Sequence, residues 1–245
     1  MNNSCETIVL RHQDFRENDV ILTVYTKEFG KLSFLARGLK KATSKNAAHC
    51  SLFCHSIFHF NDNEKQGMQT LKNAERKNMF RHIYEDLNKQ AIAQVMCECI
   101  EKIGDEPSEL LFEILLKSLT YLNDTKKPFV VLGLFLAHCN EYCGIRPNVD
   151  ECIKCHRQDQ IAAISLQDGG FLCLHCMDGF YHERLSEEQL RSFRLFHKAD
   201  IDDFYVLEKY LNSDFEDIKH ILLIFEEYSG VQIKSAAFLE KVVQL

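Results

Sequence analysis

Four cysteines near the middle of the chain have the spacing of a tetrahedral metal site. They form two C-x-x-C pairs, Cys152–Cys155 and Cys173–Cys176, with seventeen residues between the pairs. Each pair can present two thiolates from one tight turn, and the intervening residues are enough for a hairpin that brings the pairs together. Four thiolates at about 2.3 Å fill the coordination shell of Zn²⁺ and leave no position for water or substrate. We therefore predict one structural zinc ion bound by Cys152, Cys155, Cys173 and Cys176.

Other uses of these cysteines remain open from the sequence. A redox C-x-x-C usually occurs once, at the start of a helix in a βαβ unit, and no such unit is visible here. A disulfide framework needs an oxidising compartment, yet residues 1–10 lack a basic stretch followed by an apolar one. One of three nearby histidines could also replace a cysteine ligand: His156, His175 or His182.

Composition predicts a cytoplasmic globular protein. The chain has 245 residues, 46% of them hydrophobic, which is enough for one large or two modest domains. No run of about eighteen apolar residues occurs, so we expect no membrane segment. Seven of the eleven cysteines lie outside the metal set and are expected to be buried as small apolar residues: Cys5, Cys50, Cys54, Cys97, Cys99, Cys139 and Cys143.

The charge distribution points to nucleic acid, although the net charge is −7. Residues 1–81 contain 13 Lys/Arg and 8 Asp/Glu, whereas residues 82–245 contain 16 and 28. The stretch from Phe29 to Asn61 has no acidic residue. A basic N-terminal domain on an acidic body is typical of a nucleic-acid binder. The predicted phosphate contacts are Lys31, Arg37, Lys40, Lys41 and Lys45, extended by Lys72 and Arg76, and the candidate stacking aromatics are Phe34, Phe53, Phe58 and Phe60.

Hydrophobic alternation in the first eighty residues predicts a small β-barrel. Segments of period two occur at 7–11, 20–26, 31–37, 50–60 and 67–73, with a turn at residues 61–66 before the last. Five short strands with a helical or loop piece at 39–48 fit a closed barrel of the OB type. Propensity alone does not separate this fold from an SH3-like barrel.

After residue 78 the period changes to about 3.6, which predicts helices. The pattern favours one long helix over 80–99, a second opening at Pro107, and a third from Pro128 to Gly144. Further helices are expected after a cap at Ser186, over 215–228 and over 235–243. The predicted fold class is α+β: an N-terminal OB-fold β-barrel (1–79) followed by an all-α domain (80–245), with a four-cysteine zinc-binding segment (148–182) inserted.

Four blocks of residues together resemble the RecO family of bacterial recombination mediators. They are Ile8–Leu10 with Glu17–Asp19, Thr26–Lys31 and Ala36–Gly38; Cys143–Pro147 leading into Cys152–Cys155; Gly169–Gly170 with Cys173–Cys176; and Ile233–Ser235 with Phe238–Leu239. Each block is weak alone, but their order and spacing span 230 residues. The resemblance implies an N-terminal OB-fold, a helical C-terminal domain and a zinc-binding segment.

The resemblance also implies a function in DNA repair and homologous recombination. Such a protein would bind single- and double-stranded DNA, anneal complementary strands and help to load recombinase onto DNA coated by single-strand-binding protein. Its partners would be DNA, RecR and single-strand-binding protein, in the bacterial cytoplasm at the nucleoid, with no membrane and no small-molecule substrate. The alternative is an unrelated zinc-containing nucleic-acid-binding regulator.

An enzymatic function is not expected from the residue pattern. A nuclease or zinc hydrolase needs a carboxylate cluster or an open metal position, and a four-cysteine site has no open position. His55, His59, Asp62 and Glu64 are close in sequence, but alternation and the following turn make them a solvated strand end. We therefore predict no catalytic residues.

Overall fold

A computed structural model describes residues 2–61 and 67–244 of the chain. The chain divides into two compact units, Met1–Asp124 and Thr125–Leu245. Asp62, Glu64 and the turn expected before the fifth strand lie outside the described residues. The β-to-α change expected near residue 79 occurs inside the first unit, and the proposed boundary there stays a prediction. Among the described helices, none is long and apolar enough to cross a membrane.

The first unit contains a closed five-stranded barrel. Its strands are β1 (Asn2–Asp14), β2 (Val20–Thr26), β3 (Gly30–Ala36), β4 (His55–Asn61) and β5 (Gln69–Asn78). They are hydrogen-bonded in the order β1-β2-β3-β5-β4, and β4 pairs back with β1. All pairs are antiparallel except β3 with β5. This order confirms the predicted OB-type barrel.

Strand β1 pairs with two neighbouring strands. It is therefore longer than the strand that alternation predicts at residues 7–11. Residues 2–8 pair with β4, and residues 7–14 pair with β2. A register shift between Val9 and Arg11 bends the strand from one partner to the other. The inward positions of the barrel form its core: Cys5, Val9, Val20, Leu22, Val24, Phe34, Ala36, Leu39, Cys50, Phe58, Phe60, Leu71 and Ala74.

In the described part of the first unit, three α-helices follow the barrel: α1 (Arg81–Tyr84), α2 (Leu87–Ile103) and α3 (Glu109–Asp124). The single helix predicted over 80–99 is wrong, because Asp86 interrupts it. Its carboxylate accepts the Lys89 backbone N–H at 3.1 Å and caps α2. A short side chain that caps a new helix competes with continuing the previous one.

The loop between α2 and α3 packs directly on the turn between β2 and β3. Tyr25 is fully buried, and its hydroxyl donates to the Glu106 carbonyl at 3.1 Å. The Lys31 backbone N–H donates to the Gly104 carbonyl at 3.1 Å. Gly30 has φ +68°, and a Cβ there would lie 2.6 Å from the Glu106 carbonyl carbon. The β2–β3 turn of the barrel therefore contacts the backbone of the α2–α3 loop so closely that residue 30 has to be glycine.

The second unit surrounds one almost fully buried helix, α4 (Pro128–Tyr142). It packs against α5 (Glu187–Lys198), α6 (Phe204–Tyr210) and α7 (Phe215–Ser229), and α8 (Lys234–Val243) follows α7. Gly133 lets α5 and α7 approach α4, since a Cβ there would lie 2.7 Å from the Phe196 ring and 3.0 Å from Ile218. The cap expected at Ser186 is confirmed as a capping box with Gln189. Helix α6 was not predicted.

Replacing Gly30 with alanine should lower the free energy of unfolding by more than its backbone angle explains. A positive φ costs a non-glycine residue about 1–2 kcal/mol, and the clash with residues 105–107 adds to it. Gly67→Ala is a matched control, because Gly67 has φ +61° but nothing within 4 Å of the new Cβ. Urea unfolding followed by circular dichroism should give a larger loss for Gly30→Ala. Equal losses would contradict the packing described here.

Candidate metal centre and nucleic-acid surface

A two-stranded hairpin in the second unit brings the four cysteines together. Strands β6 (Ile161–Ser165) and β7 (Gly170–Cys173) pair antiparallel. The four sulfur atoms lie within 4.8 Å of one another, and those of Cys155 and Cys173 are 3.6 Å apart. Thiolates at about 2.3 Å from a tetrahedrally bound ion are separated by about 3.8 Å. The cluster therefore has the donor set and the size to hold a metal ion.

Each C-x-x-C pair is shaped by a tight backbone turn. The His156 N–H donates to the Cys152 carbonyl at 2.8 Å, and the Met177 N–H donates to the Cys173 carbonyl at 3.0 Å. His156 adopts a left-handed backbone, with φ 61°. These turns place the second cysteine of each pair beside the first, so that both sulfurs point to one centre.

The backbone around the first pair favours a thiolate. Burial alone would raise the pKa of Cys152, but N–H groups of Cys173, Cys155 and Lys154 bond to its sulfur and lower that pKa to about 6. Hydrogen bonding with Cys155 raises the pKa of Cys176 to about 12, because neighbouring sulfurs share protons. A bound cation removes this competition between sulfurs, since it stabilises all four as thiolates.

The alternatives for these cysteines find no support in the geometry. The 3.6 Å between Cys155 and Cys173 is far longer than a disulfide bond of about 2.05 Å. The His156 ring lies 2.7 Å from a Glu151 carboxylate oxygen, and the His182 ring accepts the Asp178 N–H at 3.1 Å. Among the described residues, no histidine belongs to a metal-sized cluster of three or more ligands.

The other seven cysteines are not candidates for metal binding. Six are buried as expected, but Cys143 is exposed, so the burial prediction is wrong for that residue. It lies at the C-terminal end of α4, where the chain turns away from the core. Burial raises the pKa of Cys5 and of Cys50 to about 12, so both remain thiols at neutral pH.

Six of the seven cations predicted to contact phosphate are exposed on the barrel: Arg37, Lys40, Lys41, Lys45, Lys72 and Arg76. Lys31 differs, because its ammonium group is ion-paired with Asp105 and donates to the Glu101 carbonyl at 2.8 Å. Lys40 pairs with Asp14 at 2.6 Å. In the part of the chain that the structure describes, Arg37, Lys41 and Lys45 have no acidic partner.

The segment between β3 and β4 carries most of these cations and is tied to the barrel at both ends. The Gly38 N–H donates to the Asp19 carboxylate at 2.8 Å, which fixes the start of the segment beside the β1–β2 loop. Further along, the Asn46 amide oxygen accepts the Ala74 N–H at 3.2 Å. Asn46 thereby brings Lys45 to the same edge of the barrel as β5.

The candidate stacking aromatics are not available to bases. Phe34, Phe53, Phe58 and Phe60 are all buried, so that hypothesis is wrong. Strands β3 and β4 turn Phe34, Phe58 and Phe60 inward, where they supply the volume of the barrel core. Phe53 lies in the turn before β4, and its ring is buried 6.2 Å from the Tyr84 ring. The β1–β2 loop instead exposes Phe15, whose side chain is 45% accessible, with the Arg16 guanidinium 5.1 Å from its ring centre. Their position between two predicted strands is the signal that could have identified them, because a loop aromatic is outside the alternating core.

The comparisons with known proteins agree with this architecture. Residues 1–80 match a family model described as Recombination protein O N terminal, and residues 84–235 match one described as Recombination protein O C terminal. The chain belongs to the RecO family. A protein named DNA repair protein RecO from Bacillus subtilis is 32% identical over 245 residues, covering 99% of this chain and 95% of that protein. Those of Bacillus pumilus (32%; 97% and 93% covered) and Halalkalibacterium halodurans (29%; 99% and 96% covered) carry the same name.

The blocks that carry the RecO resemblance have structural roles in this chain. Asp19 and Gly38, in two segments of the first block, are joined by the hydrogen bond described above. Gly170 lies against Asn148, where a Cβ would be 2.8 Å from the carbonyl oxygen, so that β7 can approach the segment before the first cysteine pair. Ile233 donates its N–H to the Glu226 carboxylate at 2.7 Å. Membership of this family of DNA repair proteins makes the alternative of an unrelated regulator wrong.

Replacing Cys155 with serine should remove the bound metal and lower the melting temperature. Cys155 is exposed, so the change removes a ligand with little loss of packing. Cys143→Ser is the matched control, since Cys143 is also exposed but lies outside the cluster. Elemental analysis and thermal unfolding of both variants measure the effect. Retention of one ion per chain by Cys155→Ser, with an unchanged melting temperature, would remove the cluster as a metal centre.

Proposed function

We propose that the barrel binds single- and double-stranded DNA, and that the protein acts in repair as a mediator of recombination. In this role it anneals complementary strands and helps to load recombinase onto DNA coated by single-strand-binding protein. The observation that supports this most is the group of exposed cations on the β3–β4 segment of an OB-type barrel. OB barrels bind nucleic acid through the β2–β3 face and the adjoining loops.

The proposed contacts with phosphate are made by Arg37, Lys40, Lys41, Lys45, Lys72 and Arg76. Lys31 and Lys40 contribute less, because Asp105 and Asp14 already pair with them. Each neutralised phosphate releases condensed counterions, a gain that does not depend on base sequence. Phe15 and Arg16 add a face on which a base can stack, which is also tolerant of sequence. A repair mediator has to act anywhere on the genome. Counterion release and base stacking fit that requirement, because neither depends on base sequence.

Annealing follows from the same charges. Two complementary strands repel each other through their phosphates, and a cationic surface that holds both lowers this repulsion. No step of this mechanism breaks or forms a covalent bond in the protein or the DNA. We therefore infer a function without catalysis and without a small-molecule substrate, carried out at the nucleoid.

We propose Zn²⁺ as the ion of the four-cysteine cluster, and RecR and single-strand-binding protein as partners. Four thiolates in tetrahedral reach are the usual donor set of structural zinc. The ion would hold the two cysteine turns against each other and contribute to folding of the hairpin. The elemental analysis of the wild-type chain should accordingly find one zinc ion at this site.

Reversing Arg37 and Lys41 to glutamate should weaken DNA binding and flatten its salt dependence. For single strands, the slope of log affinity against log salt should fall by about 0.7 for each lost phosphate contact. Lys219→Glu with Lys241→Glu is a control of equal charge change on exposed or partly exposed positions of α7 and α8. Fluorescence anisotropy with a labelled oligonucleotide measures both. An unchanged slope in the barrel variant would exclude these residues from the DNA site.

The mediator function itself is tested by strand annealing. Complementary oligonucleotides, bare or coated with single-strand-binding protein, are mixed with the wild-type chain or the Arg37→Glu, Lys41→Glu variant. We expect the wild type to accelerate duplex formation in both cases, and the variant to lose most of the acceleration. Acceleration on neither substrate, despite intact DNA binding, would contradict the mediator function while leaving the DNA site in place.

A further inference from the structure

Asp19 links the two parts of the proposed DNA surface, the β1–β2 loop and the β3–β4 segment. The loop carries Phe15 and Arg16, and the segment carries most of the exposed cations. Asp19 is the last residue before β2, which begins at Val20. An anion within a surface that binds phosphate repels the ligand. A carboxylate at this position therefore needs a role that outweighs the repulsion.

The main chain of Asp19 closes the β1–β2 loop. Its carbonyl oxygen accepts the Phe15 N–H at 3.1 Å and the Arg16 N–H at 3.4 Å. The Asp19 N–H donates in return to the Arg16 carbonyl at 3.3 Å. These bonds hold the backbone of the two residues that are proposed to stack on a base. The position of Asp19 thereby fixes one part of the DNA surface.

The side chain of Asp19 reaches the other part of the surface. Its carboxylate accepts the N–H of Gly38, the residue directly after Arg37, at 2.8 Å. The Lys41 N–H donates to the Gly38 carbonyl at 3.1 Å. The methylene chain of Lys41 also lies against Gly38, with its Cδ 3.5 Å from the position that a Cβ would take there. The bond to Asp19 therefore places the cations on both sides of Gly38 relative to the loop.

The rest of the β3–β4 segment is held independently of this carboxylate. The Lys40 N–H donates to the Asn18 carbonyl at 3.1 Å. The side chain of Leu39 is buried in the barrel core. A variant without the Asp19 carboxylate should accordingly keep the barrel, and it should lose the exact position of the first cations of the segment.

We propose that Asp19 is a positioning residue for DNA binding, and this inference rests on the function proposed above. Its carboxylate holds Gly38 so that Arg37, Lys41 and the β1–β2 loop engage one strand together. Arg37 and Lys41 extend into solvent, so the backbone is what places them. Groups that are ordered before binding lose less conformational freedom when the ligand arrives. This gain exceeds the repulsion from a single carboxylate, which salt screens beyond about 10 Å at about 0.1 M.

Two substitutions that remove the same charge separate positioning from repulsion. Asp19→Asn keeps a carbonyl oxygen that can accept the Gly38 N–H, whereas Asp19→Ala does not. Fluorescence anisotropy over a range of salt measures binding of the full-length chain to a labelled single-stranded oligonucleotide. Asp19→Asn should bind at least as tightly as the wild type. For each phosphate contact that it loses, Asp19→Ala should bind about fivefold more weakly at about 0.1 M salt, and its salt slope should fall by about 0.7.

Glu17→Ala is the matched control for the loss of a loop carboxylate. Glu17 is exposed in the same loop, and among the described residues its side chain has no hydrogen bond or ion pair. Its removal should leave DNA affinity unchanged or raise it. Asp19→Glu keeps the charge but moves the carboxylate one methylene further from the backbone. It should bind DNA more weakly than the wild type, and it decides the question if Asp19→Ala fails to fold in a circular dichroism melt.

A combined variant tests whether Asp19 acts through the cations of the segment. Reversal of Arg37 and Lys41 to glutamate should cost less affinity in the Asp19→Ala background than in the wild type. Equal affinities of Asp19→Ala and Asp19→Asn would overturn the proposal, as would wild-type affinity in Asp19→Glu or an undiminished cost of the reversal. If the reversal has no effect in the wild type, the DNA site itself is wrong. If it weakens binding while the Ala and Asn variants agree, only the role of Asp19 is wrong.

Discussion

The first unit depends on a very short parallel pairing that closes the barrel. Only Phe34 with Gln69 and Leu35 with Thr70 join β3 to β5. Without this pairing both strands would expose a row of unpaired backbone groups. Because β3 and β5 are parallel neighbours, the chain has to leave the barrel after β3 and cross before β4 begins. Closure thus produces a long segment outside the sheet, and this segment carries the cations proposed to bind DNA.

The fold of the first unit also determines which Lys and Arg side chains have an acidic partner. Acidic residues of the α2 and α3 region reach the barrel surface, where Glu101 pairs with Arg11 at 3.0 Å and Glu109 pairs with Lys27 at 2.7 Å. The β3–β4 segment is held instead by Asp19 and Asn46, which bond to backbone N–H groups. Such bonds fix the segment without neutralising Arg37, Lys41 and Lys45, so their charge remains available to phosphate, whereas Lys40 is paired with Asp14.

The sequence predicted the elements better than it predicted the charges. Alternation and turn residues located all five strands because period two reports one buried face, although β4 begins at His55 and the expected strand residues 50–54 form a turn. Lys31 shows why charge is harder to predict than strands. No acidic residue occurs from Phe29 to Asn61, so Lys31 was expected to be free, yet Asp105, far away in sequence, pairs with it. The stacking hypothesis failed for a related reason, since an aromatic in a strand does not reveal whether it faces the core. Helix α6 was missed because seven residues give too few turns for a clear period.

The candidate metal centre was predictable because its four ligands come from two short turns of one hairpin. The hairpin packs against α5, where the Phe171 ring lies 5.7 Å from the Phe193 ring. Beside the cysteines, however, the buried apolar cluster consists of Ala163 and Leu172 with Cys152 and Cys173, so an ion bound there would supply order that so small a cluster cannot. Ligand spacing is therefore written locally in the sequence. The ion pair of Lys31 with Asp105 is different: it forms only because the α2–α3 loop packs on the β2–β3 turn, and no spacing rule connects residues so far apart. Local chemistry can be read from a chain directly, whereas chemistry created by packing becomes visible only in the folded structure.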